Sequence, residues 1–112
     1  MQDMEVTDAQ AVLTRIQAQA RAATVDFTIH AQHEIAEEAI TADEVLQAIA
    51  AGQVVENYPT HQRGPCCLLY GRTHQGRPLH LVCTTARPTL IIITVYEPKR
   101  PKWITPIQRS QQ

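Results

Sequence analysis

Aromatic side chains are scarce in this chain: Phe27, Tyr58, Tyr70, Tyr96 and Trp103 are the whole set. A stacking platform for single-stranded nucleic acid interleaves several aromatics with basic residues, and that pattern is missing. Glycine is equally rare, with four residues, and neither a Gly-rich phosphate loop nor a nucleophile elbow is present. The three cysteines form no CxxC pair, which excludes a zinc ribbon and a thioredoxin-like site. Cys66 and Cys67 are adjacent, and Cys83 lies in an apolar run where it reads as a small core hydrophobe. The longest strongly apolar run, Leu90 to Val95, is far shorter than the roughly 20 residues of a membrane helix. The acidic start, MQDMEVTDAQ, lacks a basic-then-apolar leader, so the expected location is the cytoplasm with no membrane contact.

What is present suits one globular domain. The 112 residues are 44% hydrophobic and 19% charged, which is enough apolar material for a core without metal or disulfides. The net charge of −1 hides a division. Residues 1–57 carry ten acids against Arg15 and Arg21, a net −8. Residues 58–112 carry one acid, Glu97, against eight bases, a net +7. A basic half can attract phosphate and an acidic half can repel or mimic it; alternatively the halves neutralise each other within one fold.

The acidic half reads as helices and the basic half as strands. Thr7 and Gln10 have capping-box spacing before a helix over 7–23, with Val12, Ile16, Ala20 and Ala23 at helical intervals. Val25 and Phe27 suggest a short bridging extension. Thr28 is a good N-cap for a helix over 29–39, and Thr41 with Glu44 forms a capping box for a third over 42–51, closed by Gly52. From Gln53 the period becomes two, with strands at 53–58, 66–71, 78–85 and 89–96 joined by turn-like segments at 60–65, 72–77 and 86–88. The predicted architecture is α+β: two or three helices followed by a four-stranded antiparallel meander sheet, in a single domain over 1–112. The tail after Pro98 is interrupted by prolines, with Trp103 as its anchor.

Two constellations could carry chemistry. On the second helix, His30, His33 and Glu37 share one stripe, and a histidine near a carboxylate can divide acid and base roles. HEIAE at 33–37 approaches the HExxH zinc motif but lacks its second histidine, so no metal or other cofactor is expected. A solvated polar face explains the same stripe. On the sheet, alternation places His80, Val82 and Thr84 on one face and Leu79, Leu81 and Cys83 on the other. It likewise groups Ile92, Thr94 and Tyr96 against Ile91, Ile93 and Val95. The apolar set should meet the helices, leaving His80, Thr84, Thr94 and Tyr96 on the open face. Arg72, Arg77 and Arg87 in the flanking turns, with Lys99, Arg100 and Lys102 beyond the last strand, could hold phosphate and stabilise developing charge. The plainer alternative is a satisfied core histidine beside an edge tyrosine.

TIHAQHEIAEEAI at 28–40, GQVVENYP at 52–59, LLYG at 68–71, PLHLV at 78–82 and TVYEPKRPKW at 94–103 resemble an uncharacterised bacterial family typified by HAxxRxxERGI, PLHVV and TVYEPD…W. The resemblance covers a core at about 25–109 and leaves 1–24 as a helical extension. Motif positions kept here are His30, Ala31, Glu37, Ile40, Gly52, Tyr58, Gly71, His80, Tyr96 and Trp103. Arginine is usual where Glu34 and Glu38 stand, and glycine where Ala39 stands. The family in turn is similar to RelE/ParE-type toxins, small α+β proteins that include metal-independent messenger endoribonucleases. The resemblance implies His30, Glu37, His80 and Tyr96 as catalytic candidates and Arg72, Arg77, Arg87 and Lys102 as RNA contacts. It implies RNA or the ribosome and a cognate zinc-finger antitoxin of the MqsA type as partners, with a homodimer also open. The two lost arginines would attenuate such an enzyme, or mark a non-enzymatic interaction module of the same fold.

Overall fold

The computed structural model describes residues 8–22, 24–99 and 103–109. Three helices, α1 (Ala9–Arg21), α2 (Ile29–Glu38) and α3 (Ala42–Ala50), surround a short strand, β1 (Val25–Phe27), in the first half. β2 (Gln53–Tyr58), β3 (Cys66–Arg72), β4 (Pro78–Thr84) and β5 (Leu90–Tyr96) follow, and then a two-stranded ribbon, β6 (Trp103–Thr105) and β7 (Gln108–Arg109). No helix among the described residues is long and apolar enough to cross a membrane. Lys102 and Thr7 lie outside the described residues, as does the Trp103 side chain.

The fold is α+β, but its sheet is not the four-stranded antiparallel meander read from the sequence. It has five strands in the order β1-β5-β4-β3-β2. β2 to β5 are antiparallel neighbours, while β1 lies parallel to β5, with Val25 opposite Leu90 and Phe27 opposite Ile92. A three-residue strand is too short to show a period of two, and the chain from β1 to its parallel partner β5 runs through α2, α3 and the three strands β2 to β4. The helices cover one face: α3 packs on β3 and β4, α1 on α3 and β2, and α2 along β5 and β1. Val12, Ile16, Val45, Ile49, Leu69, Leu81, Ile92 and Val95 are buried between them.

Local chemistry sets the helix ends. Asp8 caps α1 by accepting from Gln10 N and Ala11 N. Thr28 accepts from Ala31 N, and the Thr41–Glu44 capping box is complete. α2 stops at Ala39, which holds the left-handed conformation at φ 52° and ψ 47°, with Ile40 N donating to Ile35 O at 2.9 Å. This is the closure that glycine favours, because a Cβ there crowds the backbone by about 1–2 kcal/mol. Ala39→Gly should therefore raise the thermal midpoint by a few degrees, roughly 0.5–1 kcal/mol after allowing for the freer unfolded chain. An unchanged or lowered melting temperature in calorimetry would contradict this.

A bulge corrects the predicted faces of β5. The pairing runs Leu81–Val95 and Val82–Thr94, then slips to Cys83–Ile92. Ile92 therefore joins Leu90 and Val95 in the core, and Ile93 turns to the open face. The slip lies beyond His80 and Tyr96, which remain paired.

Candidate functional site

The face of the sheet away from the helices carries the polar and aromatic residues. Tyr70, His80 and Tyr96 stand directly opposite one another on β3, β4 and β5. The His80 ring meets Tyr96 edge-on at 5.4 Å between centroids and Tyr70 at 6.2 Å. His80 is fully buried. Its Nδ1 lies 3.3 Å from the Tyr96 hydroxyl and its Nε2 lies 2.5 Å from the carbonyl oxygen of Pro106 in the β6–β7 turn. A carbonyl can only accept, so Nε2 donates; when the ring is neutral, Nδ1 accepts the tyrosine O–H. The imidazole thus has a donor nitrogen on a carbonyl, a hydroxyl partner at the other nitrogen and a lid made by the β6–β7 turn. Glu56 and Tyr58 lie on the same face by register, and Tyr58 OH donates to Glu56.

The structure brings His80 and Tyr96 together but keeps His30 and Glu37 elsewhere. His30 is 70% exposed on α2, with Nε2 at 3.4 Å from Glu34. The Glu37 carboxylate is exposed and makes no hydrogen bond or ion pair among the described residues. No group of three or more His, Cys, Asp or Glu side chains suited to a metal occurs among the described residues. Tyr70 is the residue that sequence reasoning missed; its parity with His80 across a seven-residue strand was the available signal.

The arginines divide into engaged and available. Arg77 reaches back from the β3–β4 turn, where Nε donates to Glu97 at 2.5 Å, Nη1 to Ala39 O at 3.0 Å and Glu44 at 3.3 Å, and Nη2 to Glu38 O at 2.5 Å. It is an internal clamp at the C-terminal end of α2, where a cation also complements the helix dipole. Arg72 donates to Gly76 O at 2.7 Å and lies 5.9 Å over the Tyr70 ring. The guanidinium groups of Arg87 and Arg63 make no hydrogen bond or ion pair among the described residues.

Glu34 and Glu38 also have internal tasks. β1 pairs with β5 only as far as Ile92, and beyond that α2 serves the bare edge. Thr28 N and Oγ1 donate to Ile92 O and Ile93 O at 3.0 and 2.8 Å. Glu34 Oε1 then accepts from Val95 N at 2.9 Å and from Thr94 Oγ1 at 2.5 Å, and Glu38 Oε1 accepts from Glu97 N at 3.0 Å. Four helical residues rise about 6 Å and two strand residues about 6.8 Å, so carboxylates at i and i+4 match alternate strand amides.

All three thiols are free. Cys67 and Cys83 are opposite each other on the core side of β3 and β4 and are fully buried. Burial pushes the Cys67 thiol up to about 12, with the neighbouring Cys66 adding, and raises Cys83 well above its ordinary value. In the native protein both should resist iodoacetamide at pH 8 and react only on unfolding. A raised acid pKa means the unfolded chain releases the proton first. The Cys67 contribution to stability is whole below the unfolded value of 9.0 and is lost as pH climbs towards about 12. The urea midpoint should fall between pH 8 and 10.5, by less in Cys67→Ala; equal slopes in the two proteins would contradict this assignment.

The profile of the family described as "Domain of unknown function (DUF4258)" matches residues 27–97, and the chain belongs to that family. The match includes His30, Glu37, His80, Tyr96 and the three turn arginines, and leaves out α1 and the β6–β7 ribbon. No curated protein and no solved structure matches the chain significantly.

Proposed function

We propose that the chain is a toxin-type endoribonuclease of RelE-like kind, with His80 on the open sheet face as its proton-transfer group. The observation that supports this is the fully buried imidazole held between Tyr70 and Tyr96 with a hydroxyl at Nδ1. Cleavage of RNA by its own 2′-hydroxyl requires one group to remove that proton and another to protonate the departing 5′-oxygen. His80 can take the 2′-hydroxyl proton while solvent water protonates the departing 5′-oxygen, or the reverse; Tyr96 orients it, and Arg72 stands two residues beyond Tyr70 on β3 to offset charge on the phosphate. The Pro106 turn must leave Nε2 before an RNA phosphate can reach it, which makes the resting enzyme an attenuated one. Arg77, with its ion pairs, and the two glutamates, which serve β5, are assigned to the scaffold.

The test is induction of the chain in bacteria together with an RNA-cleavage assay, on free RNA and on ribosomes. Growth should stop, and His80→Ala should restore growth and lower cleavage by about 10²-fold or more. His80→Asn, checked for folding by circular dichroism, separates lost chemistry from lost structure. Harmless expression with no cleavage in either format would overturn the reading and favour an interaction module of the same fold.

A further inference from the structure

A groove of about 510 Å³ lies at the other end of the same open face. Val82 of β4 and Ile93 of β5 form its floor, and the 60–65 and 85–88 connections form its walls through Pro65 and Pro88. Ile93 reaches the groove because the β5 bulge turns it out of the core. Arg63 and Arg87 stand exposed on the two walls. Among the described residues, no acidic side chain lines the groove.

The groove is braced from behind. Thr85 N donates to Pro65 O at 3.2 Å, which ties one wall to the other. Arg15 Nη2 and Gln19 Nε2 of α1 each donate to Arg87 O at 2.8 Å, and Gln19 also reaches Pro88 O at 3.0 Å. α1, which lies outside the family match, thus fixes the backbone of the 85–88 wall while the Arg87 guanidinium stays uncommitted. A wall fixed before binding reduces the ordering cost of taking up a ligand.

We infer that this groove is a base-binding subsite for single-stranded RNA, with one base against the aliphatic floor and the flanking phosphates on Arg63 and Arg87. The layout argues for this ligand: apolar side chains lie inward and cations stand outward on both sides, so the occupant places an apolar body in and negative charges out. A nucleotide within a strand has that layout, and apolar side chains can clamp a base as aromatics do. Val82 and Thr84 follow His80 by two and four residues on β4, about 7 and 13 Å along the strand. A strand seated in the groove therefore extends over the His80 site. The inference takes its substrate class from the proposed ribonuclease activity and adds where a neighbouring nucleotide is held.

The experiment is fluorescence anisotropy of the full chain with a 5′-labelled decauridylate at 50 and 200 mM salt, run beside the cleavage assay. The proteins are wild type, Arg63→Ala/Arg87→Ala, and Val82→Asp. The arginine pair should weaken binding at least tenfold and flatten the salt slope by about 0.7 for each phosphate no longer neutralised. Val82→Asp should weaken binding comparably. Both arginine side chains are exposed and unbonded among the described residues, so the pair should melt with wild type, and melting curves report whether Val82→Asp is folded. Wild-type binding that the arginine pair leaves unchanged overturns the subsite even if cleavage stands. Arginine-dependent binding without cleavage upholds the subsite and overturns the enzyme. Absence of binding at 50 mM salt overturns the subsite, as does displacement of the RNA by a Glu-Leu-Glu peptide with the same arginine dependence, which would make the groove a protein-docking site.

Discussion

Gly71→Ala should be among the most destabilising single substitutions in the chain, costing about 3 kcal/mol or more. Gly71 pairs with Leu79 on the core side of β3, under α3. A methyl group built there would stand 1.8 Å from Ala48 O, 2.6 Å from Ala48 C and 3.0 Å from Ala48 Cα. These are backbone atoms of a helix whose Val45, Ala48 and Ile49 are all buried, so no side chain can rotate aside. α3 would have to lift from the sheet, opening the interface that holds the core together. Overpacking usually costs about 1–3 kcal/mol. An obstruction by rigid backbone belongs at or above that upper bound, against a net stability of about 5–15 kcal/mol for a typical domain. The glycine is required for space and not for its dihedral freedom. Ala48→Gly should consequently fail to rescue Gly71→Ala, because the obstructing atoms remain. Urea denaturation of the single and double variants decides the matter: a loss under about 1 kcal/mol, or rescue by Ala48→Gly, would show that α3 is not seated as described.

The same interface shows how far the sequence could be read. α3 was legible because its signals are local: a capping box, apolar residues at helical spacing and Gly52 just beyond its end. The four long strands were legible from alternation. The tight contact of Gly71 with α3 was not, since it joins positions far apart in the chain. Val25 and Phe27 could be read as a short extension, but not the parallel pairing of β1 with β5, since three residues show no period and the partner strand lies far along the chain. His80 and Tyr96 could be brought together by parity because the bulge falls after them. Ile92 and Ile93 were exchanged because nothing in LIIITV marks where the extra residue goes. Arg77 read as a free cation, since its partners Glu38, Ala39, Glu44 and Glu97 are 20 to 39 residues away. Charge composition identifies arginines that could bind phosphate; only the fold separates Arg77 from Arg63 and Arg87.

Replacing Glu34 and Glu38 together by arginine should destabilise the protein and should not improve RNA binding. From the sequence alone the two glutamates look like lost phosphate grips, because the motif that the chain resembles would place arginine at both positions. In the fold their carboxylates accept the amides of Val95 and Glu97 along the part of β5 that β1 leaves uncovered. Arginine has donors only and cannot accept an N–H, so the double variant leaves both strand amides without their carboxylate partners. Glu34→Arg also removes the acceptor of the Thr94 hydroxyl, and Glu38→Arg places a second cation near Arg77, whose Nη2 donates to the Glu38 carbonyl. Hydrogen bonds to charged groups are worth about 1.5–3 kcal/mol each, and the partial exposure of both glutamates lowers that, so the expected loss is about 2–4 kcal/mol. Glu34→Gln and Glu38→Gln keep an oxygen in place and should lose much less. The pattern to measure is therefore arginine strongly destabilising and glutamine mild in urea titrations, with oligonucleotide affinity no higher in the arginine variant at either salt concentration. Unchanged stability with tighter, salt-sensitive RNA binding would instead assign this helix face to phosphate. α2 could then no longer be read as the cover of the β5 edge, since the same two side chains cannot bind strand amides and face RNA at once.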